Sequence, residues 1–105
     1  MMRTAVLLAC LAMTPPGHAS TANQIERACL KSERDVASRR LCGCIQTVAN
    51  QFLAPRDQRL AASFFSDPHM AQEIRQSDRR SHEVFWERYK KFGETAADYC
   101  GTLTN

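Results

Sequence analysis

Turn signals are scarce in this sequence. Its 105 residues hold four glycines and four prolines, with no Asn-Gly or Asp-Gly pair. No stretch alternates apolar with polar β-branched residues, so hairpins and sheets lack their usual signatures. No apolar run approaches the roughly 20 residues that a membrane-crossing helix needs. The three histidines, His18, His69 and His82, form neither an HExxH nor an HxxxH pair, which removes the familiar helical metal motifs. A large excess of one charge is also missing. Fourteen Lys+Arg face eleven Asp+Glu, a net +3, too weak a field to call for nucleic acid or another polyanion. A chain of this length holds one small domain at most. Its 44% hydrophobic and 24% charged residues are those of an ordinary globular protein.

The N-terminus has the layout of an export signal. Arg3 gives the positive region, Thr4 to Met13 the short apolar region, and Thr14-Pro15-Pro16 ends any helix. Gly17 and Ala19 place small residues at −3 and −1 of a cut before Ser20. Residues 1–19 therefore read as a signal peptide and residues 20–105 as one domain in the periplasm. The rival reading is a lipobox at Leu7-Leu8-Ala9-Cys10, with a lipid anchor on Cys10. The apolar run continues past that cysteine, which disfavours it. Without residues 1–19, 86 residues remain, with thirteen Lys+Arg against eleven Asp+Glu.

Four cysteines then remain: Cys29, Cys42, Cys44 and Cys100. An even count in a small exported chain implies two disulfides. Cysteines two apart on a helix point away from each other, so Cys42–Cys44 is the poorest of the three pairings. Cys29–Cys42 with Cys44–Cys100, and Cys29–Cys44 with Cys42–Cys100, both stay open. A domain below ~90 residues has a marginal core. Closing loops of about 15 and about 58 residues stabilises it by roughly 3 and roughly 4 kcal/mol in the chain-entropy picture.

The remaining pattern is helical throughout. A first helix starts at Thr21, boxed by Gln24, with Ile25, Ala28, Cys29 and Ser32 inward. A break at Ser32 to Asp35 supplies the cap of a second helix, from about Val36 to Phe52. Its apolar stripe is Leu41, Ile45, Val48 and Phe52, with Cys42 and Cys44 about 80° to either side. Such a helix can be bonded to one neighbour on each flank. Pro55 opens a third helix with Leu60, Ala61, Phe64 and Phe65 apolar. Asp67-Pro68 caps and starts a fourth that buries Met70 and Ile74. The last helix, about Ser81 to Tyr99, carries Phe85, Tyr89, Phe92, Ala96 and Tyr99 on one face. Gly93 interrupts it, which points to a close contact or a kink. The expected fold is all-α, a small bundle of four to five short helices stapled by two disulfides.

Few residues carry chemistry. Cys42-Gly43-Cys44 has the composition of a thiol-disulfide redox or soft-metal site. Its mid-helix position and two waiting partners favour structural disulfides, and no metal or cofactor is expected. Ser81-His82-Glu83 holds the residue types of a relay, but helical neighbours point about 100° apart and cannot form one. Trp86 lies off the aromatic face and either covers a neighbouring helix or anchors a partner. Arg39, Arg40, Arg79 and Arg80 are candidates for an interaction surface with it. Glu73, Asp78, Glu83 and Glu87 interleave with the second cluster, as on a solvated, salt-bridged face.

Taken in order, Ala28-Cys29, Leu41-Cys42-Gly43-Cys44-Ile45-Gln46, Arg56-Asp57-Gln58-Arg59, Phe64-Phe65-Ser66-Asp67-Pro68, Gln72 to Asp78, Phe85-Trp86, Arg88-Tyr89 and Tyr99-Cys100 resemble a family of small exported bacterial proteins commonly labelled "arginine transporter". The resemblance spans roughly Ala28 to Gly101. It implies a link to arginine transport, in which a chain without a membrane span acts as an accessory. The expected function is that of a non-enzymatic binding or interaction module, with an unidentified protein or small-molecule partner. A solute-binding accessory and a thiol-disulfide redox protein are the alternatives.

Overall fold

The computed structural model describes residues 23–32 and 38–104. The leader, Cys10, the Thr21 capping box and the proposed cap at Asp35 lie outside them. Five α-helices make up almost all the rest: α1 (Gln24–Lys31), α2 (Arg39–Phe52), α3 (Pro55–Ser66), α4 (Pro68–Arg75) and α5 (Arg80–Cys100). A 3₁₀ turn over Gly101–Thr104 follows. There is no strand among the described residues, and the fold is the expected all-α bundle.

Local chemistry sets the helix ends. Ser38, not Ser32 or Asp35, caps α2, and its Oγ accepts from the Leu41 N–H at 3.1 Å. α2 therefore begins at Arg39 rather than Val36. Ser32 instead donates back to the Cys29 carbonyl at 2.6 Å. Pro55 and Pro68 occupy first-turn positions, where a missing N–H costs nothing. Asp67 stands before Pro68 as expected, but its side chain makes no capping bond. α5 also lacks a side-chain cap; just before it, Ser77 Oγ accepts from the Arg79 N–H and lies 2.7 Å from His82 Nδ1.

α2 is the centre of the molecule, packed against α1 on one flank and α5 on the other. Leu41 and Val48 are buried along the predicted stripe, whereas Ile45 and Phe52 are only half-buried. A second line, Cys42, Gln46, Ala49 and Leu53, is fully buried beside it, because two neighbours cover two faces. Phe64, Phe85, Tyr89 and Phe92 form the aromatic half of the core, with Tyr89 5.3 Å from Phe64 and 5.6 Å from Phe85 between ring centres. Tyr99 departs from expectation. It is 73% exposed, and Cys100 takes the inward place.

The core also holds polar groups that the apolar periodicity does not mark. Gln46 and Gln58 are 4% and 5% exposed, yet every buried polar side-chain atom among the described residues has a partner. Gln46 Oε1 accepts the Glu26 N–H at 2.8 Å, satisfying a first-turn donor of α1 that has no partner within its own helix. Its Nε2 donates to Gln58 Oε1 at 2.8 Å and Asn50 Oδ1 at 2.9 Å. Gln58 Nε2 donates to the Leu53 carbonyl at 3.0 Å. One amide pair thus joins the start of α1, the end of α2 and the first turn of α3. Nearby, the buried Asp57 receives Arg88 Nε of α5 at 2.9 Å.

Two substitutions test this packing. Gln46→Ala leaves the Glu26 N–H and the Gln58 carbonyl oxygen without their partner, and should destabilise the fold by about 2–3 kcal/mol in urea unfolding. Gly93 sits within an unbroken helix, and a Cβ there meets nothing within 4 Å, so of the close contact or kink raised by the sequence, the close contact is absent. Gly93→Ala should therefore stabilise by about 0.5–1 kcal/mol in the same measurement.

Candidate functional site

The sulfurs of α2 are fully assigned. Cys29 is bonded to Cys42, with Cα atoms 5.6 Å apart, and Cys44 to Cys100, with Cα atoms 5.8 Å apart. This is one of the two pairings left open by the sequence. Cys42 and Cys44 are joined to opposite neighbours and not to each other, so they do not form a vicinal dithiol-disulfide couple. No cluster of three or more metal-ligating side chains occurs among the described residues.

The aromatic and arginine candidates separate into two ends of the molecule. The Cys44–Cys100 bond brings the start of α2 to the end of α5. Arg39 and Arg40 therefore sit at the far end of α5 from Arg79 and Arg80, a helix length of about 30 Å. All four are exposed. Of the four, only Arg80 lines a groove with Trp86.

This groove, of about 460 Å³, lies between α4 and α5. Ile74 closes its inner side, and Arg75, Arg80, Glu83, Val84, Trp86 and Glu87 form its walls. Trp86 is half-buried, its ring 5.1 Å from Tyr89 and packed against the core, while one edge faces the groove. It thus covers a neighbour and lines a surface at once. Val84 is 39% exposed. Glu83 and Glu87 stand one turn apart on α5, and Glu87 Oε2 lies 3.4 Å from Lys90 Nζ. The expected salt-bridged face is sparse: Arg75, Arg79 and Arg80 enter no ion pair with another described residue, and the pair near them is the exposed His69–Glu73 contact at 3.6 Å. Arg75, close to Arg79 and Arg80 in sequence, lines the groove from α4, opposite the residues of α5. His82 turns to Ser77 rather than to Glu83, consistent with the rejection of a relay.

The two disulfides differ in access. Cys29, Cys42 and Cys100 are buried at 4%, 0% and 1% exposure, whereas Cys44 is half-buried and lines an open groove with Thr95 and Tyr99. Cys44 is thus the most accessible of the four to an attacking thiolate. Limiting dithiothreitol followed by alkylation should label Cys44 and Cys100 first, with Cys29 and Cys42 labelled together and later, as read by peptide mass.

No family model, curated protein or solved structure matches the chain.

Proposed function

We propose that the chain is a non-catalytic interaction module of the periplasm, exported by its leader, and that it docks a protein segment in the α4–α5 groove. Two disulfides suit an oxidising compartment. No helix among the described residues is long and apolar enough to cross a membrane. The observation that carries the reading is the convergence of Trp86, Val84, Arg75 and Arg80 on one groove. Tryptophan and arginine are the side chains that most often anchor protein contacts. The groove is open along one side. It cannot enclose most of a small ligand's surface, as a solute site does, but it can receive the side chains of a docking segment.

A second reading follows from Glu83 and Glu87. Two carboxylates beside an indole suit a guanidinium, and Arg75 and Arg80 would hold the carboxylate of the same molecule. This is the arrangement that an accessory to arginine transport, as the family resemblance implies, would use.

A photo-crosslinking residue in place of Val84 separates the two. On the docking reading, a defined crosslinked partner forms in the exported fraction of the native host. It is lost in Arg75→Glu/Arg80→Glu and kept in Arg39→Ala/Arg40→Ala. Trp86 is the single tryptophan, so its emission reports on the groove directly. A shift with arginine but not glutamate, abolished in Glu83→Gln/Glu87→Gln, together with no crosslink, would transfer the function to solute binding. Neither signal would contradict both.

A further inference from the structure

A larger groove lies between α1 and α3, away from Trp86, with a volume of about 690 Å³. Three cations line it. Arg27 and Lys31 stand one turn apart on α1, and Arg59 enters from α3. None of the described residues lining it is acidic. Ala28, Ala62 and Phe65 give it an apolar floor. We infer that this groove binds the phosphate of a phosphate ester, with the attached carbon skeleton lying on that floor.

The chemistry follows from the side-chain types. Guanidinium and ammonium groups carried on two helices bring N–H donors from two sides, which suits a tetrahedral anion with several oxygens. The serines at the rim do not compete for this role. Ser32 and Ser63 donate to the backbone carbonyls of Cys29 and Leu60, each at 2.6 Å, and Ser66 donates to that of Ser63 at 3.3 Å. Anion affinity therefore rests on the three cations.

The walls are held at fixed spacing. α1 is bonded to α2 through Cys29–Cys42 and through the Glu26 N–H on Gln46. At one end of the groove Gln24 Nε2 reaches the Pro55 carbonyl of α3 at 3.1 Å. A preset gap between opposed cations lowers the ordering cost of binding. The inference is independent of the α4–α5 groove, which shares none of these residues.

The full chain tests it by calorimetry with glycerol 3-phosphate and by co-sedimentation with phosphatidylcholine vesicles with and without phosphatidylglycerol. Binding of glycerol 3-phosphate tighter than about 1 mM, with no binding of glycerol, assigns a free phosphate ester. Binding to the phosphatidylglycerol vesicles alone assigns the lipid-borne group. In either case Arg27→Glu/Arg59→Glu should weaken it by roughly tenfold or more, with helical circular dichroism unchanged. Lys90→Glu/Lys91→Glu, an equal change of charge on α5, should leave it within about twofold. Lys31→Ala gives a milder loss and guards against misfolding of the double variant. Absence of binding to both probes, or an equal loss in the α5 variant, overturns the assignment.

Discussion

Two cysteines separated by one residue on a helix project to different sides, and the architecture follows from that. Cys42 holds α1 on one flank of α2, and Cys44 holds the end of α5 on the other. A chain this small gains only a marginal core from burial. Its central helix is instead fixed covalently to both neighbours, and the amide pair Gln46–Gln58 adds α3 to the same junction. Both constraints act near the ends of helices, where backbone groups need partners from elsewhere.

This economy leaves its mark on where function can reside. Many side chains that face α2 are spent on the core; two open grooves lie between outer helices, α1 with α3 and α4 with α5, and a third follows the seam of α2 with α5. The first two differ in character. One is lined by cations over small apolar residues, and the other mixes arginines, glutamates and an indole. A small stapled bundle of this kind offers faces of contrasting chemistry on a rigid frame, which is the form expected of a binding module.

Much of the frame was legible. Pro55, Pro68 and the Phe85-Tyr89-Phe92 spacing located α3, α4 and α5, because steric and periodic signals act locally. The Cys-x-Cys spacing foretold one bond on each flank of α2. The misses have a common cause. Gln46 and Gln58 lie outside the apolar stripes, and the approach of α1 and α3 to α2 gives them their partners. Tyr99 fits the stripe by angle, but Cys100 lies closer to α2 on the same helix and its bond decides which turns inward. Ser38 went unnoticed as a cap because Ser32 and Asp35 offered the same chemistry earlier in the chain. Both grooves join residues from separate helices: Arg27 with Arg59, and Arg75 with Trp86. Sequence order alone does not place such pairs together.

The most direct test of the frame is a count of free thiols in two double-serine proteins purified from an oxidising compartment. With Cys29 and Cys42 both replaced, the account predicts none, because Cys44 and Cys100 remain joined. With Cys29 and Cys44 both replaced, it predicts two, because Cys42 faces α1 and Cys100 faces the other flank. Two thiols in the first protein and none in the second would contradict it.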